Sequence, residues 1–243
     1  MKTLELRHSL SLKPVVMLVA CFAMVGSLFV RAQDVPVLSL GVDDVHKAVV
    51  LVTKPNEIVL EVTYSKPKQA EFLKVSQEGL PKKIKIVLNG QAVSERTITQ
   101  PLTGHSIKLP MTTLDDAFAQ AEALIRLPAA TVPAPASATT AQPGDAPVFS
   151  VSSESIAKFA VFMYKPATVW MDLTLGDKEK ADLAELVAKS PGKKIQLSVN
   201  GASLGVMEIG ADKVGSSVRV SMASMDQAMA AAKAVMSDKM NGK

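Results

Sequence analysis

The sequence predicts an α+β protein made of two tandem sandwich domains, each an antiparallel sheet under two helices. Three observations predict it. The stretch KKIKIVLNG at 82–90 returns as KKIQLSVNG at 193–201, an offset of 111 positions. The same offset carries PVLSLGVDDVHKAVVLVTKP from Pro36 onto PVFSVSSESIAKFAVFMYKP from Pro147 without an insertion, and takes Thr63 onto Thr174, Ile98 onto Ile209, Gly104 onto Gly215 and Met111 onto Met222. A register kept over the whole unit is the mark of a tandem duplication. Between the copies lies LPAATVPAPASATTAQPGDAP, whose proline, alanine and threonine supply no apolar period, so residues 127–146 read as an extended linker between domains at 36–126 and 147–237.

Each element is read twice. Val45 to Thr53 and Ile58 to Thr63 are β-branched runs separated by KPNE, with KPAT in the second copy, which predicts a hairpin. In SKPKQAEFLKVSQEG, Ser65 is placed to cap a helix, Pro67 falls in its first turn and Gly79 lies past its end. DKEKADLAELVAKS stacks Leu183, Leu186 and Val187 at helical spacing. Ile84, Ile86 and Leu88 alternate with Lys83, Lys85 and Val87, and Ile195, Leu197 and Val199 keep that phase, which describes a strand with one buried face. Asn89-Gly90 and Asn200-Gly201 then supply the two positive-φ residues of a type I′ turn, returning the chain through Ile98 and Ile209. A closing strand follows around Ile107 and Leu109, or Val218 and Val220. The last helix places Leu114, Ala117, Phe118, Ala121, Leu124 and Ile125 on one face, matched by Met225, Ala228, Met229, Ala232, Val235 and Met236. Thr113 with Asp116, and Ser224 with Gln227, are spaced as capping boxes. The order per copy is β-β-α-β-β-β-α, with both helices on one face of the sheet.

Residues 1–32 read as a signal peptide. MKTLELRHSLSLK is a basic leader, PVVMLVACFAMVGSLFV is apolar, and VRA offers Val30 and Ala32 to a signal peptidase. Cleavage after Ala32, an uncleaved membrane anchor and a lipid on Cys21 of LVAC are the outcomes these residues allow. The expected location is periplasmic or otherwise exported, with a membrane contact only through such an N-terminus. Of 27 basic and 23 acidic residues, the leader holds Lys2, Arg7, Lys13 and Arg31 against Glu5, so the rest carries 23 against 22. A net charge of about +1 gives no basic surplus for a nucleic-acid partner. Cys21 is the one cysteine, so the exported part is expected to hold without a disulfide and to lack a thiol nucleophile or thiolate metal site.

A strand ending in TYSKPKQAEFLKV, then KKIKIVLNGQAVSERTI, a glycine before SIKL and the alanine-rich helix DDAFAQAEALI together resemble the head of the first periplasmic domain of SecD, the preprotein translocase accessory subunit. The likeness spans about 80 residues of each copy, on motifs of moderate specificity. Where that family places a proline after the turn, this chain has SERT and GVME; where it has a glycine pair before the last strand, this chain has TGH and GSS. The family's membrane helices, whose charged residues use the proton gradient, have no counterpart in the two copies. The resemblance thus implies a fold and contact with polypeptide, and carries no implication of export coupling.

Reactive chemistry is sparse. His46 and His105 fall on Ala157 and Ser216 in the second copy, so neither belongs to a duplicated constellation and both read as strand-end histidines. No G-x-S-x-G, H-E-x-x-H or phosphate loop occurs. Asp115 and Asp116 open a helix, where carboxylates offset the macrodipole, and Asp43-Asp44 precede a strand. Met222, Met225, Met229, Met236 and Met240 share a side of the final helix; thioethers bind Cu(I), yet Leu114, Phe118 and Ile125 hold the matching sites in the first copy, which favours core filling. Trp170 lies in phase with Asp172 and Thr174, opposite Val169, Met171 and Leu173, so its indole is expected on the face away from the helices. There it either packs against the sister domain or contacts a peptide or protein ligand. Val59 is its counterpart, and Lys83 and Lys85 share the polar phase in the first copy. The expectation is a non-catalytic module without a cofactor or metal, binding a polypeptide or protein through Trp170, Val59, Lys83 and Lys85. The alternative is an inhibitor or immunity-type protein that uses the loop 101–106 as a plug.

Overall fold

A computed structural model describes residues 35–54, 56–125, 146–165, 168–192, 194–207 and 217–241, with side chains as far as Ser237. The expected leader at 1–32 lies outside the described residues, as does the linker up to Asp145. The first copy runs β1 (Val37–Leu40), a 3₁₀ turn, β2 (Val45–Lys54), β3 (Glu57–Tyr64), α1 (Lys66–Gln77), β4 (Lys82–Leu88), β5 (Gln91–Ile98), β6 (Ser106–Met111) and α2 (Leu114–Ile125). The second runs β7 (Val148–Val151), a 3₁₀ turn, β8 (Ile156–Tyr164), β9 (Thr168–Leu175), α3 (Asp177–Lys189), β10 (Ile195–Val199), β11 (Ala202–Met207), β12 (Ser217–Met222) and α4 (Met225–Asn241). Strands β3 and β9, and β6 and β12, match to the residue at the 111 offset.

Local chemistry sets the boundaries. Asn89 and Gly90 have φ of 47° and 84°, and Asn200 and Gly201 have 50° and 80°, the pair of left-handed residues that a two-residue hairpin turn needs. At α2, the Asp116 amide donates to Thr113 Oγ1, whose hydroxyl donates to Asp116 Oδ2. At α4, Gln227 N donates to Ser224 Oγ while Gln227 Oε1 accepts from Ala223 N; both arrangements satisfy orphan amides of the first turn. Ser65 makes no side-chain cap bond, and α1 starts on its carbonyl and on Pro67.

Strand pairing departs from the expectation in two ways. The sheets are mixed: β1 runs parallel to β4 and β7 parallel to β10, and these four-residue strands were not expected. More consequentially, the two copies do not build separate sheets. One nine-stranded sheet has the order β6-β3-β2-β8-β9-β12-β11-β10-β7, and a three-stranded sheet has the order β1-β4-β5. The picture of two self-contained sandwiches is corrected by the β2–β8 ladder, which places Val50 opposite Val161, Val49 opposite Phe162 and Leu51 opposite Ala160. Val50 and Val161 are repeat equivalents, so the two copies meet edge to edge about a local twofold at that pair, as two identical subunits of a dimer would. The physical reason is that β2 and β8 would otherwise be exposed apolar edges, each a liability until paired.

Pro36–Lys243 is one compact unit, and its buried side chains form a continuous core from Leu38 to Met236. Ala48, Val50, Val52, Leu60, Val62, Val161, Met163, Met171 and Leu173 point into it from the joint sheet. Leu114, Phe118 and Leu124 of α2 answer them from the first copy, and Met225, Ala232 and Met236 of α4 from the second. The two helices also touch each other, with Lys233 of α4 on Asp115 of α2 at 2.6 Å. A second tie between the copies is the Lys165 ammonium, which donates to the Val42 carbonyl.

Candidate functional site

The side of the joint sheet away from the core is defined by register. Across β6, β3, β2, β8 and β9, opposed residues give one row of Lys108, Glu61, Val49, Phe162 and Trp170, and a neighbouring row of Pro110, Val59, Leu51, Ala160 and Asp172, continued on β12 by Arg219. Val49 is only 6% exposed although it points away from the core, because Phe162 and Leu51 close around it. Leu51, Val59, Ala160, Phe162, Tyr164 and Trp170 are half-buried, while their inward neighbours are sealed. An apolar centre therefore crosses the seam between the two copies.

On the second copy's side the rings stand in a stack. Tyr164 and Trp170 have centroids 4.8 Å apart, Phe162 and Trp170 6.0 Å. The Arg219 guanidinium lies 4.7 Å over the indole from the next strand, and Lys47 of the first copy approaches the Tyr164 and Phe162 rings at 5.6 and 5.9 Å. The indole is thereby flanked by Tyr164 from β8 and by Arg219 from β12. Such a residue offers a ligand its rim rather than a stacking face, which suits apolar side chains better than a planar base. The indole N–H is buried and has no hydrogen-bond partner among the described residues.

Charges on this face obey the duplication. Asp172 takes a two-pronged pair from Arg219, 2.8 and 2.9 Å, across β9 and β12. The 111 offset carries Glu61 and Lys108 onto these two residues, and they too pair across β3 and β6, at 3.8 Å. Lys47 and Thr63 are opposed on β2 and β3; their equivalents Lys158 and Thr174 are opposed on β8 and β9. A polar constellation is thus preserved in both copies, although neither histidine belongs to it. Its signal was present as Glu61/Asp172, Lys108/Arg219 and Lys47/Lys158 at one offset, but only strand register shows that they share a face.

The expected site residues do not converge. Trp170 and Val59 lie on the open face, Trp170 packed among residues of its own copy and Val59 between Leu51 and Pro110. Lys83 and Lys85 project from β4 of the other sheet, where Lys83 pairs with Glu95 at 3.8 Å. Val49, Leu51, Phe162, Tyr164 and Lys47, which the sequence reading does not single out, lie beside Trp170 and Val59 on the open face.

The loop at 101–106 is pinned. Leu102 N donates to Ser76 Oγ at 2.8 Å, Gln69 Nε2 to the Thr103 carbonyl at 2.7 Å and the Tyr64 hydroxyl to the Gly104 carbonyl at 3.0 Å. Burial raises the Tyr64 pKa, and the nearby Arg96 guanidinium partly opposes this. His46 and His105 are exposed on different elements. Met222, Met225 and Met236 are buried in the core and Met229 packs against it, so these thioethers fill space; the Met240 side chain lies outside the described residues. Among the described residues no group of three or more His, Cys, Asp or Glu could hold a metal, and no helix is long and apolar enough to cross a membrane.

No family model, curated protein or solved structure matches this chain.

Proposed function

We propose that this is an exported, non-catalytic module that binds polypeptide or protein on the open face of the joint sheet. The observation that carries the reading is the half-buried apolar centre of Leu51, Ala160 and Phe162 around the buried Val49, extended by Val59 and the ring stack, on a face that points away from the core. A contiguous apolar patch rimmed by charge is the usual form of a protein contact surface. The resemblance of each copy to the SecD head supports the same class of partner, and the leader-like residues 1–32 support export. The test is fluorescence anisotropy with a labelled, reduced and carboxymethylated polypeptide. Binding is expected for the wild type and at least tenfold weaker for Leu51→Asp with an unchanged circular dichroism spectrum. Equal binding by Leu51→Asp, or none by either protein, sinks the reading.

A second reading rests on the pinned loop 101–106, whose three hydrogen bonds give it the rigidity of an inhibitory plug. Under that reading Thr103→Arg abolishes capture of one stoichiometric partner from envelope extract, while Leu51→Asp leaves it intact.

A further inference from the structure

We infer that the open face selects acidic polypeptide, reading an extended segment whose carboxylates bracket a short apolar stretch; the inference rests on the proposed polypeptide-binding role of this face. Charge is the first support. On this face four cations, Lys47, Lys108, Lys158 and Arg219, stand against three carboxylates, Glu57, Glu61 and Asp172, and each carboxylate already has a cation beside it, Lys54, Lys108 and Arg219 in turn. Lys47 and Lys158 have no carboxylate partner among the described residues, so the surplus of the face sits on them. A chain that is nearly neutral outside residues 1–32 thus turns a positive surface outward at one place.

Position is the second support. Down the paired central strands the outward residues are Lys47, Val49, Leu51 and Thr53 on β2, and Tyr164, Phe162, Ala160 and Lys158 on β8. The two lysines are equivalent under the duplication and close opposite ends of the apolar centre. They are six residues apart along the strand direction, roughly 20 Å at about 3.4 Å per residue. An extended peptide has the same rise and turns alternate side chains to one side. Carboxylates at positions i and i+6 therefore reach the two lysines while apolar side chains at i+2 and i+4 lie on Val49, Leu51, Ala160 and Phe162. Because a local twofold relates the lysines, such a segment fits in either chain direction, so the spacing of its acids matters more than their order. The ring of Tyr164 and the guanidinium of Arg219 against the Trp170 indole favour such rim contact over base stacking.

Trp170 is the one tryptophan of the chain and lies beside this track, so its emission reports occupancy. The probe is the synthetic peptide Asp-Thr-Leu-Thr-Val-Thr-Asp, titrated into the intact protein, with Lys-flanked and Ser-flanked versions beside it. The acidic peptide is expected to shift the emission saturably and to weaken as salt shortens the screening length. Lys47→Glu and Lys158→Glu are each expected to weaken it about fivefold, in line with partly exposed ion pairs. Equal binding of the Ser- or Lys-flanked peptide overturns the acidic selection and leaves the polypeptide-binding role standing. No response to any of the three peptides overturns both. Vesicles rich in phosphatidylserine that shift the emission where no peptide does overturn both as well, and assign the positive face to a membrane surface.

Discussion

Arg96 shows how far two copies of one unit can diverge at a single position. It lies on the core side of β5, opposite Ile84, with Nη1 donating to the Lys108 carbonyl at 3.3 Å and a buried Nε that has no partner among the described residues. Its repeat equivalent is Met207, buried and paired with Val220 in the bridge that joins β11 to β12. Arg96 is half-buried, and a buried donor left unsatisfied costs stability that an apolar side chain of similar length does not. Arg96→Met is therefore expected to raise unfolding free energy by about 1 kcal/mol in urea titration; a loss of that size would show that the guanidinium is needed where it is. Tyr64 provides a pH test. Its raised pKa means that the unfolded chain loses the phenolic proton first, so its contribution is complete below about pH 10 and is lost as pH climbs past the folded value. Tyr64→Phe gives up the bond to Gly104 and is expected to cost about 1 kcal/mol near neutral pH, with the gap to wild type closing above about pH 10. A gap that stays constant or widens would contradict this. Trp170→Ala strips a ring that braces Tyr164, Phe162 and Arg219, so it changes stability together with any binding, and Leu51 and Lys158 are the cleaner probes.

Among the elements, legibility followed how local the governing physics is. The Asn-Gly turns, the capping boxes and the inward phases of β4 and β10 are written within a few neighbouring residues, and they stand where the spacing put them. The edge strands β1 and β7 were missed because four residues carry too little period, although exposed Val37 and Val148, at 51% and 53%, alternate with the buried Leu38 and Phe149. The open face was legible for Trp170 and Val59 as phases, but cross-strand partners such as Asp172 and Arg219 depend on register, which no single strand contains. Glycine gives the element-level prediction. Gly90 and Gly201 hold φ of 84° and 80° with open space where a Cβ would stand, so Gly90→Ala or Gly201→Ala pays for left-handed backbone, about 1–2 kcal/mol, seen as a lower urea midpoint. Gly104 recurs in both copies yet has neither a positive φ nor a Cβ contact under 3.8 Å, so Gly104→Ala is expected to be within about 0.5 kcal/mol of wild type.

At the scale of the whole molecule, the duplication makes a pseudo-dimer that is covalently closed. The runs AVVLV at 48–52 and FAVFMY at 159–164 are apolar in both phases, the composition of a strand in the interior of a sheet rather than at its edge. That clue to the joint sheet was legible in the residues, whereas the identity of the pairing partner was not. Fusing the copies let one side diverge: Phe162, Tyr164 and Trp170 stand where the first copy has Leu51, Thr53 and Val59, while the acid–base pairs remained on both. With a shared sheet and core, the two copies are expected to unfold as one unit. The most direct measurement places a cavity in the first copy and reads unfolding in the second. Phe118 is fully buried in α2, and Phe118→Ala is expected to cost about 3–5 kcal/mol. If the joint sheet governs stability, Trp170 emission and circular dichroism of that variant move together to a lower urea midpoint. A Trp170 transition left at its wild-type midpoint, with a separate earlier transition in circular dichroism, would contradict the shared sheet.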